Sequence, residues 1–274
     1  MIKYIFCDLD GTLYHNGISK EDSKAIEDIE KEGIKFNIAT GRIFVQAVKM
    51  IENDIDMNGY YICENGSYIY DSNKNLVFRG TIDDNIVKKV IAEYDSDDAT
   101  MYFKYDGKVV LLKENKFFTT YSNDYVVDEN FSQKDSYNDL VGNIGIVSQN
   151  IDELYRLESF FIEEFNDVLD IYFSSEHTLN LVPKGVSKHE GIKKVCEILG
   201  ANLDEIATIG DSPNDISMLN TTKYSFAMES SRKEVLDAAN YTAKSVSDAI
   251  SKIKYIIKIF NIGGYYEKVI SFIS

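Results

Sequence analysis

The sequence is short of cations, cysteine, histidine and proline. Its 29 lysines and arginines stand against 45 aspartates and glutamates, a formal net charge of -16 at pH 7. That field repels nucleic acid and anionic lipid, which argues against a role in binding polyanions or membrane surfaces. It also repels a small phosphorylated molecule, unless a cation or a nest of N–H groups offsets it. The three cysteines, Cys7, Cys63 and Cys196, have no metal-like spacing, and so sparse and odd a set fits core packing in a reducing compartment. The three histidines, His15, His177 and His189, lack partners at zinc spacing, which argues against a zinc site. With two prolines, Pro183 and Pro213, there is no Pro-rich linker, and no repeat or low-complexity tract stands out. The first residues, MIKYIFCDLD, lack a basic region followed by a long apolar run. Near the other end, YIIKIFNIGGYY is short and broken by Lys258 and Gly263-Gly264. Neither a signal peptide nor a membrane span is expected, and the chain reads as cytoplasmic.

With 274 residues, 44% of them hydrophobic, the chain can bury one large core or two modest ones. Its first part alternates strand and helix signals. Tyr4 to Leu9 is an apolar run suited to a strand covered on both faces, and Ser19 with Asp22 marks a helix start. A stripe at Ile26 and Ile29 stops at Gly33. Ile34 to Thr40 (IKFNIAT) is a second strand, and Phe44, Val45, Val48 and Ile51 are expected to face inward from a second helix. This βαβα rhythm predicts a doubly wound parallel sheet.

From about Thr81 the texture changes. TMYFKYDGKVVLLKEN reads as an antiparallel hairpin turning at Asp106-Gly107. A polar region follows over 122–139, then a strand (Asn143–Ser148), a helix (Ile151–Phe165) and two strands before Pro183. Afterwards the first rhythm returns: a helix from Ser187 to Leu199, strand EIATIG, a helix after Pro213, strand YSFAM and a helix around Lys233–Ala239. The prediction is an α/β core built from residues 1–81 and 184–274, with an inserted α+β cap over 82–183.

Polar clusters close three of the expected parallel strands: Asp8-Leu9-Asp10-Gly11-Thr12, Thr40-Gly41-Arg42, and Gly210-Asp211-Ser212-Pro213-Asn214-Asp215. In an open α/β sheet that edge is where ligands bind. Any one of these acids could be a helix cap or a turn residue. Their shared position makes coincidence a poor explanation. Strand positions two apart face the same way, which aims Asp8 and Asp10 together. Gly11 then lets the chain leave the strand with no side chain in the way.

In these motifs and their order the sequence resembles the haloacid dehalogenase (HAD) superfamily phosphatases, of the Cof-like subfamily IIB, over nearly the whole chain. The resemblance implies a Rossmann-like core, a mobile α/β cap that selects the leaving group, and Mg²⁺ as cofactor. It implies hydrolysis of a small phosphorylated metabolite, such as a sugar phosphate or a phosphorylated cofactor. Asp8 becomes the nucleophile that carries an aspartyl-phosphate, and Asp10 the general acid and base. P-type ATPases have threonine at the Asp10 position and hold their phosphoenzyme, whereas a carboxylate promotes hydrolysis. Thr40 and Gly41 would bind the transferring phosphoryl oxygens. Lys188, in Lys184-Gly185-Val186-Ser187-Lys188, would neutralise charge between Asp8 and the phosphate, with Lys184 as its competitor. Asp8, the Asp10 carbonyl and Asp211 would hold Mg²⁺, with Asp215 in its outer shell; an all-oxygen carboxylate set suits that ion. Asn214 would orient Asp8 or meet the phosphate. Two rivals use the same residues: a phosphomutase that returns the phosphoryl group to its substrate, and a non-catalytic phosphometabolite sensor. Intact Asp8, Asp10, Lys188 and Asp211 argue against the sensor. No nucleic-acid or membrane partner is expected, and the chain is read as a monomer or homodimer.

Several weaker signals carry two readings. Asn65-Gly66 between two apolar runs (ICENGSYIY) predicts a hairpin turn, and the resemblance also places both residues beside the substrate. Arg42 meets a substrate anion or pairs with a carboxylate of the core. His189, where relatives usually have glycine, narrows the pocket or stands solvated in a first helical turn. His15 follows the first motif, where the family has a mobile flap, and His177 lies in the cap's SSEHT. Cys7 reads as a buried strand residue. The cap aromatics Tyr102, Phe103, Tyr105, Phe117, Phe118 and Tyr121 are read as one packed face against cap helices. Glu229-Ser230-Ser231 stands where relatives carry Gly-Asn-Ala, near the active-site edge. From about Tyr255 the chain departs from the family pattern, and a terminal helix on the core or a dimer contact is expected there.

Overall fold

Runs of buried apolar residues form the strands of a first sheet, and amphipathic helices cover it. β1 (Tyr4–Cys7), α1 (Lys20–Lys31), β2 (Lys35–Ala39) and α2 (Phe44–Ile51) follow one another, then β3 (Tyr61–Cys63), β4 (Tyr68–Tyr70) and β5 (Leu76–Arg79). A second layer comprises α3 (Asp84–Glu93), β6 (Thr100–Tyr105), β7 (Lys108–Leu111), β8 (Tyr125–Val127), β9 (Val141–Val147), α4 (Ile151–Phe165), β10 (Leu169–Ser175) and β11 (Thr178–Pro183). The chain then returns through α5 (Lys188–Leu199), β12 (Ile206–Gly210), α6 (Ile216–Leu219), β13 (Ser225–Met228), α7 (Lys233–Ala238), β14 (Tyr241–Ala243) and α8 (Val246–Asn261). These elements come from a computed structural model that describes residues 1–115, 118 and 125–261.

The first sheet runs β14-β13-β12-β1-β2-β3-β4-β5. Neighbours are parallel from β14 to β3; β4 returns antiparallel through the turn expected at Asn65-Gly66, and β5 adds an antiparallel edge strand that was not predicted. The return has a local cause: Glu64, Asn65 and Gly66, at φ 53°, 59° and 112°, reverse the chain at once and leave no length for a crossover helix. The second sheet runs β10-β11-β9-β6-β7-β8, with Asp106 and Gly107 at φ 48° and 71° making the β6–β7 turn.

Ser19 caps α1 by accepting the Asp22 N–H at 3.0 Å, and Ile26 and Ile29 are buried under it. On α2, Ala47 and Ile51 are buried four residues apart, while Val45, expected inward, is 45% exposed. One core lies between the first sheet, α1 and α8, with Ile253 and Ile256 of α8 inside it. The expected terminal helix is therefore present to residue 261. A separate core joins the second sheet to α3 and α4 through Val87, Val90, Leu154, Phe161, Ile144 and Ile146. The cap aromatics divide between two faces, because successive strand side chains alternate. Phe103 and Tyr105 pack on the helix side, whereas Tyr102 and Phe118 meet edge to face at 4.8 Å on the other. Phe117 and Tyr121 lie outside the described residues. Among the described residues no helix is long and apolar enough to cross a membrane.

Candidate active site

Because β12, β1 and β2 are adjacent and parallel, the polar residues that follow each strand meet at one edge. Asp8 extends the β1 ladder, its N–H donating to the Ile209 carbonyl at 2.8 Å, and Thr40 extends β2 in the same way toward Ile62. Gly11 sits at φ 82°, and a Cβ there would stand 2.5 Å from Asp211 Oδ2. Glycine is what lets the first loop close on the third. The Thr12 hydroxyl donates to Asp211 Oδ1 at 2.6 Å, and the Ser212 hydroxyl to Oδ2 at 2.9 Å. Buried Asp215 accepts the N–H groups of Asp211 and Ser212 through Oδ2, both at 2.9 Å.

Ser187 caps α5 and delivers Lys188 into this cluster. Its Nζ donates to Asp8 Oδ1 and to Asp215 Oδ1, both at 2.5 Å. The competing Lys184 instead pairs with Asp170 at 2.9 Å, with an exposed side chain. Burial, and then the neighbouring Asp215, pushes the Asp8 carboxyl up, while Lys188 pulls it down. Burial pulls Lys188 down, yet Asp215 and Asp8 together hold it above the usual lysine range. Both groups are thus shifted upward. We read Lys188 as an ammonium, because a single donor group bridging two carboxylates at this distance requires it. Asp211 is pushed up by burial and by Asp215, against the Thr12 hydrogen bond. Carboxylate oxygens of Asp8, Asp211 and Asp215 all lie within 4.8 Å of one another. Three carboxylates against one ammonium leave surplus negative charge among hard oxygen donors, a set that fits a divalent cation.

Asp10, two residues after Asp8, turns its carboxylate to Arg42, which grips it as a fork: Nε to Oδ2 at 2.9 Å and an amino group to Oδ1 at 2.7 Å. Of the two readings of Arg42, the structure shows the core carboxylate. The buried Thr40 hydroxyl accepts the Arg42 N–H at 3.1 Å. Asn65 belongs to the predicted turn and also reaches the cleft, where its Oδ1 accepts from Asn214 Nδ2 at 3.0 Å. Its own Nδ2 is buried with no hydrogen-bond partner among the described residues. Gly41 packs beside the Asn65 side chain, while Gly66 packs on the Ser187 backbone, off the cleft.

Asp8, Asp10, Gly41, Arg42, Asn65 and Asn214 floor a cleft of about 490 Å³ whose roof is the open face of the second sheet, and Thr40, Lys188, Asp211 and Asp215 lie behind that floor. Tyr102, Lys104, His177 and Asn180 line that roof, and sequence reasoning assigned a site role to none of them. Their signal was faint: Tyr102, Lys104 and Asn180 each alternate with an apolar residue whose burial explains the strand without reference to a site, and His177 lies in the turn between β10 and β11. His189 meets Thr221 Oγ1 at 2.7 Å and His15 the Thr12 carbonyl at 3.2 Å. Neither lines the cleft, and nor does Glu229-Ser230-Ser231. Cys7 is buried and free, as expected.

Residues 5–253 match the haloacid dehalogenase-like hydrolases. The chain belongs to that family. Relatives matched over most of its length are named phosphatases. It is 29% identical over 263 residues to a putative phosphatase of Buchnera aphidicola subsp. Schizaphis graminum, covering 92% of this chain and 94% of that one. It is 27% identical over 254 residues to the 5-amino-6-(5-phospho-D-ribitylamino)uracil phosphatase YcsE of Bacillus subtilis, with 92% and 94% covered. Its fold is similar to that of a haloacid dehalogenase-like hydrolase from B. subtilis, with TM-score 0.83 at 20% identity over 93% of this chain and all (100%) of the other.

Proposed function

We propose that this HAD-type hydrolase cleaves the phosphomonoester of a small metabolite through an aspartyl-phosphate on Asp8. The observation that carries the reading is the buried Asp8 carboxylate, held by Lys188 at 2.5 Å on the floor of the cleft. An Asp8 oxygen attacks phosphorus, the ester P–O bond breaks, and the leaving oxygen takes a proton from Asp10. Asp10, now a carboxylate, takes a proton from water as that water attacks the phosphoryl group. Phosphate leaves, and Asp8 and protonated Asp10 are restored. Arg42 orients Asp10 for both transfers. Lys188 offsets charge on Asp8 and the phosphoryl oxygens, which the Thr40 hydroxyl and Gly41 N–H also receive. The unpartnered Asn65 amide and neighbouring Asn214 supply donors to the substrate.

Asp8, Asp211 and the Asp10 carbonyl would hold Mg²⁺. Asp215, already engaged by Lys188 and two N–H groups, fits a place in its outer shell. Bound there, the ion neutralises the phosphate and the crowded carboxylates. In this reading residues 82–183 are the cap and choose the leaving group. The named substrate of the Bacillus relative makes a phosphorylated ribityl chain the first candidate, with sugar phosphates and phosphorylated cofactors next.

The test is phosphate release from such a panel, with Mg²⁺ and with EDTA, beside Asp8→Asn. Mg²⁺-dependent release that falls roughly a thousandfold or more in Asp8→Asn is expected. A folded, metal-loaded protein that released nothing from any compound would overturn the reading. Bulk inorganic phosphate as product separates it from a mutase.

A further inference from the structure

The short loop after β2 is gripped from two sides. Lys104, on β6 of the second sheet, donates through Nζ to the Gly41 carbonyl at 2.5 Å. Ile43 is buried in an apolar cluster whose other buried members, Tyr102, Val109, Leu111 and Val147, all belong to the second sheet. Arg42, between Gly41 and Ile43, points the other way and forks onto Asp10. Thus loop 40–43 places one carbonyl and one apolar side chain in the roof, and a hydroxyl and a guanidinium in the floor.

Lys104 is a costly residue to bury in such a place. Glu64, also buried, supplies the strongest opposing charge from the floor side. A β-bulge makes room for it: Lys104 pairs with Asn143 while Tyr105 pairs with Val141, leaving Gly142 as the extra residue. A Cβ on Gly142 would stand 2.6 Å from Glu64 Oε2. Burial pushes Lys104 down to about 8 and Glu64 up to about 7, each against the pull of the other. Glu64 Oε2 and Asn143 Oδ1 lack hydrogen-bond partners among the described residues. Apolar residues in place of Lys104 and Glu64 together would suit this corner as well, so stability is a poor account of the pair. The chemical steps proposed above do not use it either.

We infer that Lys104, together with the apolar pocket around Ile43, is how the core senses a closed roof. With the second sheet in place the loop is set, and through it the Thr40 hydroxyl and the Arg42–Asp10 fork. With the sheet displaced, the loop loses both grips and phosphoryl transfer slows. Lys104 is a positioning residue in this account, acting through Gly41 rather than on the leaving group. The inference rests on the phosphatase reading.

The experiment compares wild type with Lys104→Met, with Lys104→Met/Glu64→Gln, which leaves no unpaired charge behind, and with Lys104→Arg. kcat and KM are measured on the best panel substrate and on p-nitrophenyl phosphate. We expect kcat to fall about tenfold by the same factor for both leaving groups, KM to change by less than about threefold, and arginine to restore part of the loss. A loss confined to KM, a loss that depends on the leaving group, or an unchanged kcat overturns the inference. Hydrogen exchange at residues 41–44 is followed in the same proteins and needs no turnover. We expect it to rise about tenfold in both methionine variants while Ile144 and Ile146 are unaffected; an unchanged loop also overturns the inference. If wild type shows no Asp8-dependent phosphate release, the phosphatase reading has failed by itself, and the exchange data alone decide whether the roof holds the loop.

Discussion

The floor and the roof of the cleft each bury a lysine, and the two are electrostatic opposites. Lys188 has a fully buried side chain and touches two carboxylates at 2.5 Å, and its pKa is raised. Lys104 is 7% exposed and, among the described residues, donates to a carbonyl and makes no ion pair, and its pKa is lowered to about 8. Burial pulls both down. Direct ionic contact wins in the floor and is missing from the roof. The difference suits the proposed function, in which a floor that meets an anion at every turnover needs a permanent cation and a roof that opens needs a contact it can release.

The contrast breaks most visibly at Lys188. Lys188→Met leaves Asp8 and Asp215 buried without their cation. Phosphate release is expected to fall by about 10²–10³, and urea unfolding to show a loss of about 3–5 kcal/mol. A variant as stable as wild type would mean that the floor does not depend on this cation.

Glu64→Gln sharpens the roof side. Glu64 titrates near 7 in the folded protein against an ordinary 4.5, so from pH 4.5 upward the unfolded chain releases a proton that the native protein keeps. Native stability therefore falls as pH rises from about 4.5 to about 7 and stays at the lower level above that. At about 1.4 kcal/mol per pH unit, the stability of wild type relative to Glu64→Gln should drop by about 3 kcal/mol across this window. Denaturant melts at both ends of the window test it, and parallel curves would mean that Glu64 is not held in a buried place.

The smallest effect is expected at the rim. Arg232 and Glu176 join the first sheet's side of the molecule to the second through an exposed pair at 3.2 Å. Such pairs are weak and screened. Arg232→Ala should leave the melting temperature unmoved and turnover within about twofold of wild type. A larger loss would show that the roof is held at its edge as well as at the loop.

The floor was legible in the sequence because its residues follow strands directly; Asp8 and Asp10 both line the cleft, although β1 ends at Cys7 and Leu9 between them lies in a turn. Lys188 was separable from Lys184 by family spacing, and Asn65-Gly66 announced its turn through dipeptide chemistry. Other features left little trace. β5 is largely exposed and lacks a burial pattern, so the last strand of the antiparallel edge escaped notice. Arg42 kept two readings until geometry set it on Asp10. In the roof, Tyr102, Lys104 and Asn180 alternate with core residues, and a hairpin signal says nothing about which face will look onto a distant strand edge. That depends on where one sheet sits over another, which no local pattern encodes.

The order of strands also bears on how the protein comes into being. The second sheet uses only residues 100–183, whereas β1 meets its neighbour β12 across about 200 residues, Tyr4 opposite Ile206. Asp8 and Lys188 lie 180 positions apart. A chain emerging from the ribosome therefore completes its roof while the floor still lacks β12, and Asp8 waits without Lys188 and Asp211. Domains fold as units during synthesis, and distant pairings form late. Catalysis is then among the last properties the growing chain acquires, and a truncated product has a finished lid over a site that was never assembled.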